Sequence, residues 1–227
     1  MIEPTSDPTL APTPTIDADH PAVIAFARRH ASAAAGTREA SIALYYAVRD
    51  GIRYDPYAVG SDASSLRAST TVAAGRGWCV SKAALLAAAC RAVGIPARLG
   101  FADVRNHLST TRLRASMGTD VFYWHGYASL RIDGRWLKAT PAFNVELCEK
   151  FRLRPLEFDG REDSIYHPFD LEGRRHMEYV HERGEFNDVP FQAMMETFRE
   201  HYGPSIVNEG IPKGDFDREV EEETRRP

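Results

Sequence analysis

The stretch GRGWCVSKAALLAAACRAVGIPARLGF, residues 75–101, decides how this 227-residue chain is read. Two glycines lead to a cysteine, and an alanine- and leucine-rich run of high helix propensity follows it. Gly94 and Pro96 stop that helix, and IPARLGFADV beyond them has strand character. Cys79 therefore stands at a helix start. Free backbone N–H groups and the positive end of the helix dipole favour a thiolate there, and the same groups suit an oxyanion. Gly75 and Gly77 would let a substrate backbone approach. A small buried residue that happens to open a helix carries the same local pattern, so the catalytic and packing readings both stand at this point. Cys90 lies about three turns further along the same helix and reads as core. Cys148 has no supporting context.

Working upstream, IRYDPY reads as a short extended segment ending at Pro56. A helix from about Thr37 to Asp50 precedes it, with Ile42, Tyr45, Tyr46 and Arg49 at helical spacing. An earlier helix runs from Pro21 to Gly36, with Asp19 as its N-cap. Residues 60–77 are rich in Gly, Ser and Ala and read as a loop. Downstream, residues 105–119 form a polar, basic connection, and VFYWHGYASLRI alternates like a strand. Asp133-Gly134 is a hairpin signal, RWLKAT the returning strand and Pro141 its end. Further on, HMEYVHE reads as a strand and PFQAMMETFREHYG as an amphipathic helix. The division expected is a disordered tail over 1–18, a core over 19–150, an extension packed on it over 151–204 and a mobile acidic tail over 205–227.

Composition bounds the function. Lys plus Arg number 28 and Asp plus Glu 32, a net charge of −4, with 43% apolar and 26% charged residues. That describes a globular chain without the basic surface of a general nucleic-acid binder. Three cysteines without a CxxC pair exclude a disulfide scaffold and give no zinc motif. The Pro- and Thr-rich start lacks the charge and apolar run of a signal peptide, and no stretch is long and apolar enough to span a membrane. A cytoplasmic location is the expectation, with no cofactor, no metal, no nucleic-acid partner and no membrane partner. Oligomeric state is left open.

A thiol nucleophile needs a base. Of eight histidines, His125 lies in the aromatic strand beside Gly126, and the hairpin could bring it to Cys79. A histidine in such a strand is also a common structural residue. His107 in the basic loop is a second candidate base. His20, His30 and His201 read as surface. His167, His176 and His181 have no ligand motif such as HExxH around them. Trp78 and Gly77 beside the thiol, and Trp124 beside the histidine, are candidate substrate contacts or core. Arg105, Arg112 and Arg114 would attract a carboxylate-bearing substrate or form a solvated loop.

Three segments together resemble the transglutaminase-like superfamily: residues 75–101, AVRDGIRYDPY over 47–57, and WHGYASLRIDGRWLKATPAFN over 124–144. The resemblance covers about residues 38–145. It implies a papain-like α+β fold, a Cys-bearing helix packed on an antiparallel sheet, Cys79 as nucleophile and His125 as general base and acid. That family usually places an Asp before the Pro that closes the return strand, as third triad member. Here the position holds Thr140, whose hydroxyl can fix a tautomer but does not stabilise an imidazolium as a carboxylate does. Asn144 is near enough in sequence to serve, since an amide orients the histidine in papain-like proteases, and Asp103 or Asp120 could approach through the fold.

The activity implied is acyl transfer or amide hydrolysis through a Cys79 thioester, on a peptide, protein or small amide. No DxDxDG loop is present, so calcium dependence is not expected. Two other readings stand beside it. Thr140 favours a peptide- or protein-binding module with weak or no turnover, and a Cys, His, Asp order also occurs in arylamine N-acetyltransferases.

Overall fold

The computed structural model describes residues 7–107, 109–165, 169–211 and 214–224. Helices α1 (Pro21–Ala31) and α2 (Thr37–Gly51) lead into the two-residue strand β1 (Arg53–Tyr54). After α3 (Ala68–Ala74) comes β2 (Arg76–Gly77), parallel to β1, and then α4 (Cys79–Ala92). Strand β3 (Ala97–Asn106), helix α5 (Thr111–Met117), the hairpin β4 (Val121–Ile132) and β5 (Arg135–Ala139), and α6 (Val145–Phe151) follow. The chain continues through β6 (Met177–Phe186), α7 (Phe191–His201), α8 (Pro204–Glu209) and α9 (Phe216–Thr224). The four long strands form one antiparallel sheet in the order β5-β4-β3-β6. This is the expected α+β class, with the cysteine helix against the sheet.

Helix α4 is apolar almost all round, and every residue from Cys79 to Arg91 is buried. A helix of that kind belongs in a core, and its alanines let α1, α2, α3, β3 and β4 come close. Leu85 and Leu86 are fully excluded from water, each stabilising by about 1.5–3 kcal/mol. Two cations on this helix are buried because their donors are used. Lys82 Nζ donates to the carbonyls of Arg49 at 2.9 Å and Ile52 at 2.5 Å, tying α4 to the C-terminal end of α2. Burial pulls its ammonium down to about 7. Arg91 donates to the carbonyls of Ala97, Ala11 and Asn187, joining three segments.

The hairpin forms as the Asp133-Gly134 pair requires, with φ of 50° and 81° at the two turn residues. Several expectations are corrected. The first helix ends at Ala31, and its cap is His20, whose Nδ1 accepts the Ala22 N–H, not Asp19. The loop over 60–77 contains a 3-10 turn at Ala63–Leu66 besides α3 and β2. The connection over 105–119 holds α5, because Leu113 and Met117 one turn apart both bury.

The two tails are built into the fold wherever they are described. Ile16 is completely buried, the Ala97 N–H donates to the Thr9 carbonyl and the Ala68 N–H to the Thr15 carbonyl. At the other end α9 buries Phe216 and Val220. Its acidic residues are spent on named partners: Asp217 on Lys150 and Arg53, Glu219 on the Tyr57 and Thr110 hydroxyls, Glu223 on the Thr111 N–H. Charge density suggested mobility, but a short amphipathic stripe with matched cations docks instead.

Candidate active site

Cys79 is the first residue of α4 and is 6% exposed. Trp78 stands in the cap position, and Ser81 Oγ reaches back to accept the Trp78 N–H at 3.1 Å. The β2 strand fixes the approach, with the Asp55 N–H donating to the Gly77 carbonyl at 2.9 Å. The glycines do other work than expected. Gly75 ends α3 at φ 62°, and a Cβ on Gly77 would stand 2.4 Å from Ser81 Oγ, so the close neighbour there is the helix's own serine.

His125 comes from β4, opposite Ala102 of β3. Just before it the strand carries an extra residue: Ala102 pairs with His125 but Val104 with Phe122. Trp124 takes φ 60° at this bulge, a conformation uncommon outside glycine. A strict alternation would send Phe122 and His125 to opposite faces, yet Phe122, Tyr123 and His125 all line one cavity together with Cys79.

That cavity is small, about 40 Å³, and its walls are apolar and aromatic, leaving room for roughly three waters. Tyr54, Trp78 and Leu113 wall it on the core side. Phe198 of α7, Tyr202 at the C-cap of that helix and Ile206 of α8 close it, together with Ile211. The Trp78 and Phe198 rings lie 6.2 Å apart. Tyr202 is fixed there because its hydroxyl accepts the Tyr123 N–H at 2.7 Å and donates to the Val121 carbonyl at 3.2 Å.

Enclosure governs the electrostatics. Burial pushes the Cys79 thiol up to about 11, against the backbone N–H groups of Gly126, Val80 and Cys79 that favour its thiolate. Burial and then the nearby His176 hold His125 down to about 3. The closed site thus contains a thiol and a neutral imidazole. The helix N-terminus pulls in the direction expected from the sequence, but desolvation outweighs it. Burial, with Cys79 and Asp55 close by, also keeps Tyr54 well above the usual phenol range.

The other candidates fall elsewhere. Thr140 is buried, its N–H donates to the Ser164 carbonyl at 3.0 Å and its carbonyl accepts from Tyr45 Oη. Its Oγ1 has no hydrogen-bond partner among the described residues, so the hydroxyl does not orient His125. Asn144 accepts the Tyr54 N–H at 3.1 Å and donates to Glu146 at 2.7 Å, tying the end of the hairpin to β1. Trp124 is absent from the cavity wall, where Trp78 is present. Its ring packs on Phe101 and Phe186 and its Nε1 donates to Thr197 Oγ1 at 2.9 Å.

His107 is a partly exposed residue 3.7 Å from Glu178. Arg105 pairs with Asp120 and Glu178, and Arg112 with Glu219. His167 lies outside the described residues, and no group of His, Cys, Asp and Glu able to hold a metal occurs among the described ones. Cys90 and Cys148 are both buried. The sequence reading missed Tyr54, Phe198, Tyr202 and Arg183, the partner of Asp103. The aromatic spacing of FREHY in the predicted helix carried the signal for two of them.

No curated protein matches the chain. A crystal structure of a "Putative Cysteine Protease" from Cytophaga hutchinsonii superposes with a TM-score of 0.51 at 20% identity. The match covers 82% of this chain and 48% of that one, so this chain spans about half the length of its neighbour. At that identity the likeness is one of fold. The sequence model of the transglutaminase-like superfamily matches residues 24–141, from α1 to the end of the hairpin. That is more than half of the chain and holds both Cys79 and His125, so the chain belongs to the transglutaminase-like superfamily.

Proposed function

We propose that the chain is a thiol-dependent acyl-transfer or amide-hydrolysing enzyme, with Cys79 as nucleophile and His125 as its base and acid. The observation that carries this reading is the shared cavity: a helix-start cysteine and a strand histidine line one enclosed apolar space, with three backbone N–H groups about the sulfur. Cys79 Sγ attacks the carbonyl carbon of a carboxamide or peptide as its proton passes to His125. The Cys79 and Val80 N–H groups at the helix start are suited to the oxyanion. Collapse expels ammonia or an amine, which takes the proton from His125, and leaves a thioester. Water gives the acid, or a second amine gives a new amide. A peptide, protein or small amide is the substrate class, and neither metal nor cofactor enters these steps.

Because both groups are neutral in the closed site, deprotonation accompanies attack instead of preceding it. The low value of His125 has burial as its main cause, so substrate or water entering past Phe198 and Ile206 would relieve that burial and restore the basicity of the imidazole. The test is incubation with a peptide-carboxamide library, with and without a primary amine, following ammonia release and the mass of the Cys79-bearing peptide. A trapped thioester, absent in Cys79→Ala and at least about 10²-fold slower in His125→Ala, is the expected result. A second reading, a binding module on this fold, is favoured by the buried neutral pair and by the Thr140 hydroxyl, which has no hydrogen-bond partner among the described residues. Peptide capture equal in wild type and Cys79→Ala, with no ammonia released, would establish that one instead.

A further inference from the structure

Strand β3 is flanked by bulges on both sides at the same level. On β4 the extra residue lies at Tyr123–Trp124, opposite Asp103. On β6 there are two such residues: Arg183, since Phe101 pairs with Gly184 and Ala102 with Glu182, and Val180, since Asp103 pairs with His181 and Val104 with Tyr179. The irregularities at Trp124 and Arg183 meet at one carboxylate. Asp103 Oδ1 accepts the Trp124 N–H at 3.0 Å and Arg183 Nε at 2.6 Å, and Oδ2 accepts Arg183 Nη2 at 2.8 Å. The guanidinium carbon also stands 4.6 Å from the centre of the Trp124 ring. Asp103 is 4% exposed and the Arg183 side chain 19%, so the carboxylate is shielded from water while the guanidinium is partly open to it.

We propose that Asp103 and Arg183 are the positioning residues of the candidate base: they hold the β4 bulge at Trp124 that turns His125 into the cavity beside Cys79. The inference rests on the reading of His125 as base. It deepens that reading by replacing a side chain touching the imidazole with a carboxylate touching the backbone one residue before it. Three facts support it. Trp124 holds a left-handed φ of 60° that an L residue keeps only when its surroundings enforce it. The N–H freed from the ladder by that bulge is the one Asp103 takes. And the bulge is what lets Phe122 and His125, three positions apart, line the same space. A bidentate Arg–carboxylate pair is also directional, as a positioning device requires. Asp103, one of the residues weighed as a third triad member, acts through the backbone on this account. Arg183 belongs to β6, beyond the 24–141 span of the family match.

The experiment is a double-mutant cycle read by iodoacetamide alkylation of Cys79 per folded molecule, from pH 5 to 11. Asp103→Asn keeps the shape and weakens the acceptor; Arg183→Lys is the conservative partner and Arg183→Met the severe one. His125→Gln is expected to slow alkylation in the wild-type background. Asp103→Asn and Arg183→Met are each expected to slow it about tenfold there, with Arg183→Lys intermediate, and to change nothing in the His125→Gln background. The His125 ring resonances and the exchange rate of the Trp124 amide are expected to move in Asp103→Asn. Equal slowing in both backgrounds, or unmoved His125 resonances, would assign the pair to general stability and overturn the proposal. If His125→Gln itself has no effect, the reading of the base fails, and the proposal falls with it for a visibly different reason.

Discussion

A methyl group on Gly126 would stand 3.0 Å from the Cα of Val80 and 3.4 Å from its nitrogen. The histidine strand and the cysteine helix thus meet backbone to backbone, one residue beyond His125 and one beyond Cys79. Gly126→Ala must force them apart, since the obstacle is main chain and not a side chain able to swing away. The expected cost is about 1–3 kcal/mol of stability, as for other overpacked sites. Alkylation of Cys79 is also expected to change, because the Gly126 N–H is one of the groups favouring its thiolate. Unchanged melting temperature and unchanged thiol reactivity would show that strand and helix do not meet this closely.

The enclosure of Cys79 sets its titration. With the thiol pushed up to about 11 by burial, iodoacetamide labelling of the closed protein is expected to be slow at pH 6–8 and to climb steeply towards pH 11. Trimming the roof at Phe198, which packs against Trp78, admits water and lowers that value. Phe198→Leu is the mild choice, and each unit of lowering multiplies the thiolate present at pH 7 about tenfold. Intact-mass kinetics against pH check it, with Cys79→Ala as the blank. A profile with its midpoint near 8 in the unaltered protein would contradict the closed state described.

Thr140 makes a separate case. It occupies the place where the superfamily resemblance called for a carboxylate, yet its Oγ1 is buried without a hydrogen-bond partner among the described residues. A buried hydroxyl of that kind destabilises, and an isosteric methyl does not. Thr140→Val is therefore expected to raise stability by about 1 kcal/mol, measured by urea unfolding. A loss of stability coupled to a loss of Cys79 reactivity would return the hydroxyl to the histidine and reverse this assignment.

What was legible beforehand follows the range of the interactions involved. Cys79 at a helix start, the GIP stop and the Asp133-Gly134 turn are set by neighbours within a few residues, and all appear where the local pattern put them. The cavity is different. Its roof comes from Phe198, Tyr202 and Ile206, over a hundred positions after the cysteine, and no local period announces that α7 folds back against β4 and Trp78. The acidic end misled for the same reason: Asp217 and Glu219 read as solvated until Arg53, Lys150 and Tyr57 are brought to them. Desolvation is likewise a tertiary quantity, so the helix-start argument gave the sign of one contribution to the Cys79 thiol and not the larger opposing one.

The buried imidazole predicts an acid weakness with a definite sign. His125 is held down to about 3 in the folded protein, against 6.5 for an ordinary histidine. Between those values the unfolded chain takes up a proton that the folded chain refuses. This contribution to stability is fully present above about pH 6.5 and is lost as the pH falls towards 3, at up to about 1.4 kcal/mol per pH unit. His125→Phe fills a similar space and removes the titration. The variant is therefore expected to lose stability between pH 6 and pH 4 with a slope shallower by about one proton than the wild type. Urea unfolding at half-unit pH steps measures both slopes. Parallel slopes would mean that His125 is already hydrated or charged in the folded state, and the closed neutral pair would have to be abandoned.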